Sequence, residues 1–490
     1  MRRRMVSYIT GRVLIAEAFL MLPSMLVGLI YREIEALAFL PSIALMVILG
    51  LLLGFKKPQN DEFFARDGFV SVALCWILLA LFGAIPFALY DNLATFGSYW
   101  NCLFEIVSGL TTTGASILPA PESLPYCMLF WRSFSHWVGG MGVLVLVLAV
   151  MPLAGDRSLH LMRAEVPGPT VGKLVPRMRK TAFILYAVYT ALTAILVLLL
   201  IIGGMPLFDS ICHAMATAGT GGFSVKNAGI SAYGSAYIET VLAVFMILFG
   251  VNFNLFYLIL IGRAKTAFKS EELRVYLSLV AAASLLIFWN TFSTWQNAGR
   301  TLLDAFFQVS SIISSTGFAT VNFSDAAGGG WPIFSQTILL LLMFIGACAG
   351  STGGGIKVSR VVILFKSAGQ EIRQLIHPRA KSVVRLEGKP LETSMLHGTL
   401  IYAVIYFLII ILSTLLLSFF ERRSGFDFTT IFSAEVTCFN NIGPGLNAVG
   451  PTSNFLALSP ASKVVLMINM LLGRLEIYPL LILLAPRRRG

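Results

Sequence analysis

Residues 108–117 read SGLTTTGASI. A polar cluster that ends on a glycine and lies between apolar runs invites a search for copies. Three are found: ATAGTGGFSV (216–225), SSIISSTGFATV (310–321) and TCFNNIGPGLNA (437–448). Aligned on Gly114, Gly221, Gly317 and Gly443, they stand 107, 96 and 126 residues apart. Thr113, Thr220 and Thr316 precede three of the glycines, and Ile442 precedes the fourth. Eight or nine residues upstream lies a polar residue: Glu105, His213, Gln308 or Glu435. Further upstream stands a candidate helix cap: Asn101, Asp209, Asp304 or Asp427. The repeated unit is helix, short capped helix, glycine-rich loop, helix.

The flanking sequence fixes the medium. The 490 residues are 57% hydrophobic and only 12% charged, against about 25% charged in soluble domains. Apolar runs long enough to cross a bilayer recur throughout. They predict ten spanning helices near 11–31, 37–54, 69–90, 131–153, 181–203, 236–261, 273–293, 335–366, 396–419 and 462–485. Between them, 98–112, 207–218, 301–314 and 427–438 are too short or broken to span. No short apolar run after MRRRM ends in a small-residue cleavage site, so the first helix is expected to be retained. The expected fold class is an all-α polytopic membrane protein. Two accessory helices (1–66) precede four repeats: 67–155, 156–262, 263–394 and 395–490.

The net charge of +12 is a topology signal rather than a nucleic-acid footprint. With the N-terminus inside, 28 of the 36 Lys and Arg fall in inside segments and seven outside. That is the positive-inside pattern, and it puts both termini in the cytoplasm. The six cysteines form no CxxC or metal-spaced cluster and read as packing residues. Neither paired carboxylates nor metal spacing at an interface suggests an embedded enzyme, and no cofactor is expected.

Four short helices ending at glycine-rich loops would aim their C-terminal carbonyls at one axis. Each helix end carries about half a negative charge and favours a cation. Loop carbonyls can replace an ion's water shell. Irregular backbone at membrane depth is tolerated where it lines a watery cavity. A single TTTG would read as an ordinary loop with a helix-stop glycine; four aligned copies point to one ion pathway.

TTTGAS, AGTGGFS, STGFAT and FNNIGPGL, with GSTGGGIKVSR and LLGRLEIYP (472–479), resemble the Trk/Ktr/HKT superfamily of potassium transporters. Within it, the two extra N-terminal helices and nearly the whole chain resemble the bacterial TrkH type. The resemblance implies a central pore formed by four channel-like repeats. Its selectivity filter would be Thr112-Thr113-Gly114, Gly219-Thr220-Gly221, Ser315-Thr316-Gly317 and Asn441-Ile442-Gly443. In the family, glycine at the first of these loops goes with potassium and serine with sodium. The implied cargo is K+, with Rb+ accepted and some leakage of Na+. The resemblance also implies a homodimer in the bacterial inner membrane with a pore in each protomer. A cytosolic nucleotide-binding regulatory subunit of the TrkA type would dock on the basic face at 155–180 and 357–395.

Cys348–Arg360, CAGSTGGGIKVSR, has the look of a phosphate loop inside an apolar run. Ile356 separates Gly355 from Lys357, and Val358 separates Lys357 from Ser359, so the Gly-Lys-Ser/Thr succession of a nucleotide loop is absent. A helix kink is the plain reading. The resemblance implies an intramembrane gating loop at 346–356 under the filter, with Gly350, Ser351, Thr352, Gly353, Gly354, Gly355 and Lys357 at the gate. Arg474, ionisable within the last predicted span, joins that group as a functional candidate. It would repel resident cations or hold the loop's carbonyls. Glu476, two residues on, is a poor partner for it on a helix. The polar residues of the short helices are expected to pack and hydrogen-bond behind the filter. His136 is expected near the outer interface, without chemistry. A K+ symporter coupled to H+ or Na+ is the alternative to channel-like uptake.

Overall fold

The computed structural model describes residues 3–55, 65–142, 178–295, 297–324, 330–378 and 383–484. Helices α1 (Arg3–Tyr31) and α2 (Phe39–Gly54) form an antiparallel pair joined by a short 3-10 turn. They cross closely because Gly11 faces Gly50 and Gly54: a Cβ on Gly11 would lie 2.6 Å from the Gly50 oxygen. Next come α3 (Ala65–Gly83), α4 (Ile85–Leu89), α5 (Tyr99–Leu110) and α6 (Tyr126–Gly140). The chain resumes with α7 (Met178–Ile202), α8 (Leu207–Ala218), α9 (Ala236–Phe249), α10 (Phe253–Leu260), α11 (Ala264–Phe268) and α12 (Glu271–Trp295). Then follow α13 (Ala298–Ile313), α14 (Ile333–Phe344) and α15 (Val358–Ile376). A small hairpin, β1 (Arg385–Leu386) with β2 (Lys389–Pro390), precedes α16 (Thr393–Phe420), α17 (Phe428–Phe439), α18 (Pro460–Arg474) and α19 (Tyr478–Leu484).

Among the described residues, six helices are long and apolar enough to cross a membrane, and up to eight if each of two bent pairs is one span. Large apolar side chains stand exposed along α2, α7, α12 and α16, as lipid-facing surfaces require.

Three predicted spans are broken. The span at 236–261 bends by 94° between α9 and α10. There Asn252 caps α10 by accepting from the Asn254 N–H (2.9 Å), and the Phe253 N–H donates to Gly350 on another segment. The span at 462–485 bends by 119° between α18 and α19, where Glu476 and Ile477 take positive φ of 52° and 70°. Arg474 therefore ends a helix rather than sitting within one. The span at 335–366 is interrupted from 345 to 357. For 131–153, helix α6 covers the beginning, and 143–177 lies outside the described residues.

The four short helices are α5, α8, α13 and α17, each within three residues of its predicted start. Their caps differ from expectation. Asp427 caps α17 by accepting from Thr430 N–H. The cap of α5 is Ser98 and that of α13 is Asn297, while α8 starts after Pro206 without a side-chain cap. Asn101 instead donates to the Phe96 carbonyl, Asp209 accepts from the Tyr233 hydroxyl, and Asp304 pairs with Arg300. A polar residue one turn inside a helix looks like a cap in sequence.

Candidate functional site

The four short helices end in one backbone form. The C-cap residues are Thr111, Gly219, Ser314 and Asn440. The next residues, Thr112, Thr220, Ser315 and Asn441, are left-handed, with φ of 56°, 53°, 58° and 55°. The residue after each returns an N–H to the carbonyl five back: Thr113 to Ser108, Gly221 to Ala216, Thr316 to Ser311 (2.8 Å each) and Ile442 to Thr437 (3.0 Å). This is a Schellman closure, usually built on glycine. Here threonine, serine or asparagine bears the left-handed turn, at about 1–2 kcal/mol each.

One position later φ is positive again, at Gly114 (81°), Gly222 (78°), Gly317 (84°) and Gly443 (102°). The second loop is therefore registered on Gly222, and its counterpart of Thr112-Thr113-Gly114 is Thr220-Gly221-Gly222. The sequence alignment on Gly221, with Gly219 leading, is one residue out. Repeated glycines (GTGG) and the attraction of matching Thr220 to Thr113 hid the shift; Gly219 is only the helix cap.

In this register the loops close on one another. A Cβ on Gly114 would lie 2.0 Å from the Gly221 oxygen. On Gly222 it would lie 2.0 Å from the Thr316 oxygen, on Gly317 1.8 Å from the Ile442 oxygen, and on Gly443 2.7 Å from the Thr113 oxygen. Each glycine thus abuts the carbonyl of the next loop, first to second, third, fourth and back to first. Asn441 reinforces the last step, donating to Thr113 Oγ1 (3.0 Å) and to the Met470 carbonyl (2.9 Å). A cavity of about 140 Å³ is lined by the four glycines together with Arg132 and Lys226.

Behind the loops, the buried polar residues tie each helix to its own return limb. Glu105 accepts from Ser116 Oγ (2.9 Å), the Ile117 N–H (3.0 Å) and Arg132 Nε (2.7 Å). His213 Nε2 meets Ser224 Oγ (3.1 Å), and Gln308 donates to Thr320 Oγ1 (3.3 Å). Glu435 accepts from Asn469 on α18 (2.7 Å) instead. Arg132 also donates to the Ser224 carbonyl (3.1 Å) and lies over the Phe223 ring, so it joins the first loop to the second.

His136 is not at an outer interface. It is fully buried, with Nδ1 2.7 Å from the Gly109 oxygen and Nε2 3.3 Å from the Phe223 nitrogen. Those partners require Nδ1–H to donate and Nε2 to accept, the neutral form. Its ring packs where a Cβ on Gly221 would lie, at 2.3 Å. Nothing in RSFSHWVGGMG announces this, because the contact joins α6 to a loop about 85 residues on.

Segment 345–357 packs against the same helix ends from the other side. Ser315 Oγ accepts from the Gly354 N–H (2.6 Å). A Cβ on Gly354 would lie 2.3 Å from the Asn440 oxygen. Ile345 and Ile356 form a parallel bridge that closes the segment's neck. The Cys348 N–H donates to the Gly250 carbonyl and Thr352 Oγ1 to the Phe249 carbonyl, both at the α9–α10 break. Lys357 Nζ donates back to the Gly353 carbonyl. Arg474 donates to the Thr352 carbonyl (2.7 Å) and to Gly139 and Gly140 at the end of α6. Glu476 pairs with Arg360 (2.5 Å). Ser351 is buried and donates to Cys348; Gly350 and Gly355 both have φ of 70°.

A family description, "TrkH: Cation transport protein", matches residues 36–295 and 290–488. The chain belongs to the TrkH family. Trk system potassium uptake protein TrkH of Salmonella typhimurium is 36% identical over 99% of both chains. Trk system potassium uptake protein TrkG of Escherichia coli is 34% identical over 98% of this chain and 97% of its own. The crystal structure of the potassium transporter TrkH from Vibrio parahaemolyticus superposes with a TM-score of 0.88, at 32% identity over 99% of both chains. TrkH membership agrees with the resemblance carried by the glycine loops. All six cysteines are buried and none is in a disulfide, and no metal-holding cluster of His, Cys, Asp and Glu occurs among the described residues.

Proposed function

We propose that this protein mediates K+ uptake across the bacterial inner membrane by channel-like permeation. The cation would pass through the ring made by Thr112-Thr113-Gly114, Thr220-Gly221-Gly222, Ser315-Thr316-Gly317 and Asn441-Ile442-Gly443. The observation that carries this is the closed circuit of four glycine-to-carbonyl approaches. Four helix C-termini meeting there favour a cation, and the carbonyls offer a substitute for its hydration shell. Relatives named for potassium uptake, covering the whole chain, support K+ as cargo. The inward pull is about 2.3 kcal/mol per charge per 100 mV.

Segment 345–357 is the gate of this pathway, with Arg474 as its latch. It packs against the helix ends Ser314, Ser315 and Asn440, opposite the cavity. Its five glycines and its side-chain tethers suit a segment that moves as a hinge. The positive-inside pattern supports a cytoplasmic location for both termini. Control by a cytosolic nucleotide-binding subunit and assembly as a homodimer complete the proposal. The chain needs no cofactor in this reading.

Potential-driven 86Rb+ uptake into liposomes tests it, with K+ and Na+ as competitors. Uptake blocked by K+ is expected, with Na+ competition rising in Gly114→Ser. A folded protein with no flux, even beside its regulator, would overturn the channel. The symporter is the second reading, favoured by one observation: Glu435 keeps a buried carboxylate oxygen without a hydrogen-bond partner, a place for a proton. Reversal potentials that follow pH as well as K+ would select it.

A further inference from the structure

One carboxylate holds both limbs of the interrupting segment. Glu272 lies in the first turn of α12 and is 8% exposed. Its Oε1 accepts from the Ala349 N–H (2.8 Å), where the segment turns in, and from the Ser359 N–H (3.0 Å), where α15 begins. The two donors are ten residues apart in sequence and meet on a single oxygen. Every other side-chain tether described for the segment holds one limb or tip. Releasing Arg474 frees the Thr352 carbonyl, and releasing Ser315 frees the Gly354 N–H; releasing Glu272 frees one N–H on each limb at once.

Glu272 is itself held from the far side. Glu387, in the turn of the β1–β2 hairpin, accepts on Oε1 from Ser270 Oγ (2.8 Å), the Glu271 N–H (2.8 Å) and the Glu272 N–H (3.3 Å). A carboxylate over exposed N–H groups is what a helix N-terminus favours, and here it comes from more than a hundred residues away. Lys366 on α15 pairs with Glu271 and donates to the Arg385 carbonyl (2.8 Å). The hairpin, the start of α12 and α15 are thereby one hydrogen-bonded block, and that block presents Glu272 to the segment.

We propose that Glu272 is the clasp that keeps segment 345–357 seated, and that Glu387 positions it. Displacing the hairpin would move the first turn of α12, withdraw the carboxylate and release both limbs together. The proposal rests on the gate reading given above. It adds the point at which a change on the hairpin reaches the gate.

The test compares Glu272→Ala, Glu272→Gln and Glu387→Ala in liposomes by 86Rb+ uptake, beside wild type and Arg474→Ala. Glu272→Ala is expected to raise uptake about tenfold, within the span of ordinary site-to-site coupling. Glu272→Gln keeps an oxygen that accepts both N–H groups, so its uptake should stay within about twofold of wild type. Glu387→Ala should fall between the two. A second readout follows Cys348, fully buried at the neck of the segment, by maleimide labelling and peptide mass spectrometry. Labelling should quicken in Glu272→Ala and not in Glu272→Gln.

If Arg474→Ala raises uptake and Glu272→Ala leaves both uptake and labelling unchanged, the clasp is overturned and the gate stands. If neither variant changes uptake, the gate reading falls and the clasp with it. A changed order of K+ and Na+ competition in Glu272→Ala would mean general loosening and would also overturn the clasp. Should Glu272→Ala not be recovered folded, Glu387→Ala decides: wild-type uptake and labelling there would overturn the positioning.

Discussion

The glycine ring and the segment beneath it are both irregular backbone in a helical membrane protein, yet they are held in opposite ways. Around the ring, main chain satisfies main chain. Each helix end closes with its own Schellman bonds, and each glycine rests against a neighbouring carbonyl at a distance that admits no side chain. The segment 345–357 adds to its few backbone bonds a set of side-chain tethers: Glu272, Ser315 and Arg474 reach it from elsewhere, and Lys357 folds back from within it. Backbone closure leaves few alternatives, because a freed N–H or C=O in that place has no water to turn to. A side-chain tether can swing away and leave a rotamer rather than a broken helix. The contrast is the physical ground for the proposed division into a fixed ring and a moving gate.

Substitutions can break that contrast, beginning with the largest effect. Gly317→Ala adds a Cβ 1.8 Å from the Ile442 oxygen at a φ of 84°. Strain of roughly 2–4 kcal/mol is expected there, with 86Rb+ uptake reduced more than about a hundredfold. Wild-type uptake would show that the ring yields as readily as the segment. Arg474→Ala should act in the other direction and raise uptake about tenfold, with the order of ion competition intact. The register gives a sharper comparison. Gly222→Ala should alter K+ over Na+ competition, whereas Gly219→Ala, which crowds the His136 carbonyl at 2.2 Å, should lower the melting temperature and leave competition unchanged. The reverse result would restore the alignment on Gly221. The smallest effect belongs to the caps: Ser98→Ala should cost about 1 kcal/mol of stability, visible as a modest fall in melting temperature with uptake per folded molecule unchanged.

Sequence reading went furthest where chemistry repeats. Four polar, glycine-bearing stretches at similar spacing revealed the short helices, since each needs the same turn at its end. The reading slipped by one residue at GTGG, where two adjacent glycines fit either register and only the left-handed Thr220 decides. It missed the bends at 250–252 and 475–477, because hydropathy averages over a break that leaves the apolar count intact. Asn101 and Asp209 look like caps because a helix's first turn and its boundary share a composition, whereas Asp304 lies in the second turn and pairs with Arg300. His136, Glu272 and Glu387 left no local trace at all. Their roles come from contacts across some 77 to 117 residues, and no pattern within one segment encodes such a meeting.

The ring also has a consequence for how the protein can be varied. In an assembly of four identical chains, one codon change alters every quadrant at once. Here four separately encoded segments supply Thr113, Gly221, Thr316 and Ile442 at equivalent places. A single substitution therefore touches one quarter and leaves three as a reference. The circuit is already unequal, with hydroxyl-bearing side chains in the first and third quadrants, none in the second and a bulky aliphatic in the fourth. Under the proposed function, ion preference becomes a property adjustable in quarter steps.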